Sequence, residues 1–111
     1  MRALLLLLIA TASAMASVAI LDTFDAPGAN IRALAWADSH LYAVDSLSGT
    51  VYCLDPSDGS VVSQWSTGYL PNKATGMGAT PLRIWISFVN NYIRYYTLSG
   101  TYQGSVNLCG S

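Results

Sequence analysis

Apolar and polar residues alternate in short runs along most of this chain, and each run stops at a cluster of turn residues. After an opening apolar stretch come VAILDTF, ANIRALAW, SHLYAVD, GTVYCLD and GSVVSQW, then KATGMGA, LRIWISF, YIRYYTL and TYQGSVNL. Runs of roughly four to eight residues rich in Val, Ile, Tyr, Trp and Thr, separated by Asp, Ser, Asn, Gly and Pro, predict antiparallel β-strands. Leu41, Tyr42, Ala43 and Val44 put apolar groups on both faces of their run, which predicts sheets covered on both sides. No run has the period of an amphipathic helix. The sharpest turn is Asp55-Pro56-Ser57-Asp58-Gly59. There Asp55 accepts backbone N–H groups, Pro56 presets φ and Gly59 supplies a positive φ before the next strand, so these three are assigned to turn structure. Asn90-Asn91 and Ser99-Gly100 keep the same hairpin chemistry.

The pattern repeats. The stretch from Leu41 to Trp65 returns in altered form from Ile84 to Val106, with Leu41 and Ile84 offset by 43, Val51 and Ile93 by 42, and Gly59 and Gly100 by 41. A period of about 42 residues with four strands in each copy is that of a propeller blade. The fold class expected is therefore all-β, a partial β-propeller of about two antiparallel four-stranded blades, over residues 29–66 and 72–108. Phe24 aligns with Trp65, so residues 18–25 are expected to form a lone outer strand, the last strand of another blade. Propellers hold about 4–8 blades. Two open blades leave apolar faces and strand edges uncovered, so the expected partners are further propeller blades, either in a longer chain of which this is a piece or in copies that close a ring of four or six blades.

The chain opens with Arg2, an apolar core from Ala3 to Ala10 and the small residues Ala14-Met15-Ala16 before Ser17. That order predicts a secretory signal peptide over residues 1–16 and an exported product, periplasmic or extracellular, over 17–111. The core is shorter than the ~20 apolar residues that span a bilayer, and no second candidate follows, so no membrane association is expected after cleavage. What remains carries Arg32, Lys73, Arg83 and Arg94 against six Asp and no Glu. Without a basic cluster, nucleic acid is not an expected partner. Cys53 and Cys109 are the only cysteines. In an oxidising compartment they either pair as a disulfide or stand as two separate small apolar residues, and spacing leaves both open. Structural zinc takes four ligands, so two thiols make no such site.

The pattern Gly49-x-Val51-Tyr52-x-Leu54-Asp55-x-x-x-Gly59, closing on Trp65, resembles the repeat of pyrroloquinoline-quinone-type and related secreted bacterial β-propellers. Leu34-Ala35-Trp36 with Leu41-Tyr42-Ala43-Val44-Asp45 is similar to repeats of the same broad superfamily, which includes glutaminyl cyclotransferase-like and streptogramin lyase-like propellers. The resemblance covers about two blades. It implies the architecture, not an activity, because one fold hosts many functions. In the quinone enzymes of this resemblance the cofactor lies over a funnel lined by many blades, which two blades cannot build, so no cofactor is expected here.

Candidate chemistry is sparse. Asp38, Asp45, Asp55 and Asp58 offer calcium oxygens, but the alternating carboxylates of an EF-hand are missing, and turn residues account for them. His40, the only histidine, follows Asp38-Ser39 in a hairpin and is expected to be an exposed loop residue. Trp36, Trp65 and Trp85 with Tyr42, Tyr52, Tyr95 and Tyr96 could stack a flat ligand, but most recur at repeat positions, which favours packing between blades. Arg94, flanked by Ile93 and Tyr95, is expected to pack its stem and send its head to solvent. The function expected is a non-catalytic exported module for binding or surface display, with specificity in loops such as Thr67 to Thr75. The alternative is the N-terminal part of a secreted propeller enzyme, an oxidoreductase, lyase or cyclotransferase.

Overall fold

The computed structural model describes residues 4–10, 18–69 and 72–108. Among these the chain is all strand and turn. β3 (Ile31–Ala37), β4 (His40–Asp45), β5 (Thr50–Leu54) and β6 (Val61–Ser66) form one sheet in sequential order. β7 (Ala74–Ala79), β8 (Arg83–Phe88), β9 (Tyr92–Thr97) and β10 (Tyr102–Asn107) form a second sheet, also sequential, and every neighbouring pair is antiparallel. These are the two four-stranded units of the repeat. β1 (Leu4–Ala10) and β2 (Val18–Asp25) make a separate antiparallel pair, with Leu4 opposite Asp25 and Ala10 opposite Val18. In the full chain the leading strand is thus paired with the apolar segment that the sequence assigns to the leader.

Tight turns follow the local chemistry. Between β3 and β4, Asp38 and Ser39 both take positive φ, 49° and 61°, the two-residue arrangement that matches strand twist. Gly59 has φ 77°, and its N–H donates to the Asp55 carbonyl at 2.7 Å. The Asp55 carboxylate accepts from the Ser57 N–H at 2.8 Å and the Ser57 hydroxyl at 2.6 Å, which holds its pKa below the ordinary range. Gly59→Val is expected to destabilise the chain by about 1–2 kcal/mol, since a β-branched residue is strained at that φ. A urea midpoint equal to that of the wild type would remove the argument.

Register decides which face each side chain takes, because residues opposite one another share a face. Tyr42 opposite Cys53 and Val44 opposite Val51 face the second sheet, where Ala74, Ile84, Ile86, Phe88 and Tyr96 complete one buried cluster. Leu41 opposite Leu54 and Ala43 opposite Tyr52 belong to the other face, with a smaller cluster that takes in Ala26 and Ile31. β3, the first strand of one sheet, packs on β7, the first strand of the next. The last strands β6 and β10 are mostly exposed.

Candidate functional site

Two places stand out: a cleft at one end of the seam between the sheets, and the face that the second sheet turns away from the first. The cleft, of about 240 Å³, is lined by Arg32, Ser46, Lys73, Ala74, Thr75 and Val89. It is made from equivalent positions of the two repeats. In β3 the pairing jumps from Ile31 opposite Asp45 to Ala33 opposite Val44, which leaves Arg32 as the extra residue of a bulge. In β7 it jumps from Ala74 opposite Phe88 to Gly76 opposite Ser87, and Thr75 is the extra residue. Backbone hydrogen bonds close the rim alike in both sheets, Ser46 N–H to the Asn30 carbonyl and Val89 N–H to the Lys73 carbonyl, each 3.0 Å.

On the outward face of the second sheet Trp85 lies opposite Tyr95 and Ser87 opposite Ile93. The Trp85 and Tyr95 rings are 4.6 Å apart, and the Arg83 guanidinium sits 5.0 Å from the Tyr95 centroid. Gly104 lets the chain lie close, since a Cβ there would be 2.4 Å from the Tyr95 hydroxyl oxygen. By the repeat offset, Trp85, Ser87, Ile93 and Tyr95 hold the positions of Tyr42, Val44, Val51 and Cys53. The face turned outward is therefore the counterpart of the one the first sheet buries against the second.

The sequence candidates fall as follows. The Asp45 carboxylate accepts three backbone N–H groups, Asp58 accepts the Ser60 N–H at 2.9 Å, and Asp55 is engaged by Ser57. Asp38 takes a turn conformation. Among the described residues no three His, Cys, Asp or Glu are grouped to hold a metal ion. His40 differs from the loop residue expected: it begins β4, half-buried, with its ring Nδ1 2.8 Å from the Asp38 carbonyl oxygen. Cys53 is buried in β5, and Cys109 lies outside the described residues. Burial, with the Cys53 thiol beside it, pushes the Tyr42 hydroxyl well above the ordinary phenol range.

The aromatic residues divide. Tyr42 and Tyr96 are buried, Trp65 packs between the sheets, and Trp85 and Tyr95 are half-buried on the outward face. Trp36 is 49% exposed, contrary to a packing role, because it stands opposite Leu41 on the side away from the second sheet. Arg94 also departs from expectation. Its guanidinium lies 4.3 Å from the Tyr69 ring centre and 4.0 Å from that of Tyr102, instead of reaching solvent, and its Nη1 donates to the Thr67 carbonyl at 3.5 Å. The Tyr96 hydroxyl donates to the same carbonyl at 2.8 Å, and burial pushes its pKa up to about 12. The Thr67 to Thr75 connection is thereby anchored at its start in the seam, and its end lines the cleft. Residues 70 and 71 lie outside the described residues.

No known protein family matches the chain, and no curated protein matches it. Among solved structures it is similar to the β-propeller domain of Cps50 (Swd1) from Myceliophteria thermophila, with a TM-score of 0.54 and 11% identity. The match covers 78% of this chain and 28% of that one. A likeness at that identity carries the fold alone, and with the two sequential four-stranded sheets it makes the chain a partial β-propeller of about two blades.

Proposed function

We propose that this chain is an exported, non-catalytic β-propeller module, used for binding or surface display, that works joined to further blades. One observation carries the reading: the outward face of the second blade repeats the positions by which the first blade packs, and fills them with half-buried Trp85, Tyr95 and Ile93. Such a face suits another blade. Export is supported by the order of charge, apolar core and small residues in 1–16. The likeness to pyrroloquinoline-quinone-type repeats rests on Gly49, Val51, Tyr52, Leu54, Asp55 and Gly59. Cleavage after Ala16 would take β1 from β2 and free an edge strand that a ring could use at its closure.

The test is to express the full chain with its leader in a bacterial host and to determine the terminus and the particle mass of the exported product. We expect an N-terminus at Ser17 and an assembly of two or three copies, giving four or six blades, in line with the usual ~4–8. Trp85→Asp is expected to shift the particle to single chains, since a carboxylate cannot be left unpaired in that contact. A Trp85→Asp particle of the same mass as an assembled wild type sinks the reading of that face, whereas a monomeric wild type assigns the further blades to a longer chain and not to copies.

A further inference from the structure

The four cations that remain after residues 1–16 are used in two different ways. Arg83 and Arg94 lie over aromatic rings. Arg32 and Lys73 instead meet at the cleft, both exposed, with no ion pair among the described residues. The closest acid in register is Asp45, opposite Ile31, but its two oxygens are held by the N–H groups of Asn30, Leu47 and Ser48. The hydroxyls of the cleft are also engaged, Ser46 with the Asn30 carbonyl at 3.4 Å and Thr75 with Ser87 at 2.9 Å. The charged donors among the cleft's lining residues are Arg32 and Lys73.

The fold does not require these charges. Both blades carry the bulge in their first strand, yet its extra residue is Arg32 in one and Thr75 in the other, and Lys73 stands where the first repeat has Asn30. Bulges commonly re-aim a side chain beside a binding site, and here the extra residue of one is an arginine at the rim of the cleft that Lys73 lines from the other blade. A guanidinium offers two parallel N–H groups and a lysine a point charge, a pair suited to a group with two negative charges. The volume of about 240 Å³ is below the ~300–1,000 Å³ of drug-sized ligand sites.

We propose that the inter-blade cleft lined by Arg32 and Lys73 binds a compact dianion, a phosphate group or a short dicarboxylate. The inference does not depend on ring assembly, because both blades that form the cleft belong to one chain. The experiment is calorimetric titration of the full chain with inorganic phosphate, succinate and, as a monoanion, acetate at low ionic strength. Saturable binding of at least one dianion is expected, about tenfold or more tighter than acetate. Arg32→Gln and Lys73→Gln are each expected to weaken it by about tenfold, the loss of one charge-assisted contact. Arg83→Gln, outside the cleft, is expected to change it less than about twofold. Preference for phosphate points to phosphate esters and preference for succinate to dicarboxylates; either upholds the site. The wild type gives a second readout, because raising salt from about 20 to 200 mM must weaken a charge-driven contact. No saturable binding of either dianion up to about 20 mM, well beyond millimolar affinity, overturns the proposal. So does affinity unchanged in both Gln variants, or affinity indifferent to salt.

Discussion

Asp45→Ala is expected to lower the stability of the folded chain by about 2–4 kcal/mol, the range for leaving buried donors without their charged acceptor. Asp45 is 4% exposed at the end of β4. One oxygen accepts the N–H groups of Leu47 and Ser48, each at 2.9 Å, and the other accepts the Asn30 N–H at 3.2 Å. The first two bonds shape the β4–β5 turn, where Gly49 N–H also returns to the Asp45 carbonyl at 3.0 Å. The third ties in the chain that enters β3. Gly28 passes close to this point, since a Cβ there would lie 2.6 Å from Oδ2. One carboxylate thus fixes two segments that are far apart in sequence, and alanine leaves three N–H groups to find water.

The charge state makes the same role visible against pH. Burial raises the Asp45 pKa, but the N–H donors of Ser48, Leu47 and Asn30 outweigh it and hold the carboxyl below the ordinary 3.8. A depressed folded pKa means that the contribution is complete above the unfolded value and fades as pH falls through the folded one. Wild-type stability should therefore decline more steeply below about pH 4 than that of Asp45→Asn, which has no charge to lose. Urea unfolding at neutral pH and along an acid series checks both points. An alanine variant within about 0.5 kcal/mol of wild type, the range of an ordinary surface change, or identical acid slopes for wild type and Asp45→Asn, contradicts the assignment.

Strand runs and turns were legible in the sequence because they leave local marks. Alternation and β-branched residues identify β4, β5 and β8, and the turn residues set their ends. Asp45 was legible only as a turn residue, since its bond to Asn30 joins positions that become neighbours once β3 lies beside β4. The bulges at Arg32 and Thr75 could not be read either: an extra residue in a strand changes the direction of a side chain without changing composition. Hence the cleft was hidden, since only the bulges show that Arg32 and Lys73 lie at positions filled by uncharged residues in the other repeat. For Arg94 the local neighbours misled. Its ring partners Tyr69 and Tyr102 come from the inter-blade connection and from the adjacent strand, not from Ile93 or Tyr95. Trp36 is the opposite case: an aromatic at a strand position suggests packing, but its face of the strand carries it outward.

Gly100→Ala should destabilise the chain by about 3–4 kcal/mol, because two independent penalties fall on one carbon. Gly100 has φ 98°, where an L side chain is strained. Its missing Cβ would also lie 2.4 Å from Cγ of Trp65. Trp65 is held there: it reaches from β6 across the seam, donates its indole N–H to the Leu98 carbonyl at 3.2 Å, and lies 5.0 Å from the Tyr96 ring. The β9–β10 turn cannot simply retreat, since Gly100 N–H bonds the Thr97 carbonyl at 3.0 Å and Thr97 N–H bonds the Thr101 carbonyl at 2.9 Å. Gly68 separates the two penalties. It has φ 68° with nothing within 4 Å of its missing Cβ, so Gly68→Ala carries strain alone, about 1–2 kcal/mol. If the indole is the obstacle, placing Gly100→Ala in a Trp65→Ala background should reduce its effect to the Gly68→Ala level, and the two changes will be less than additive. Full additivity in that cycle would mean that Trp65 does not rest on Gly100, and the contact by which the first blade locks onto the last hairpin of the second would have to be sought elsewhere.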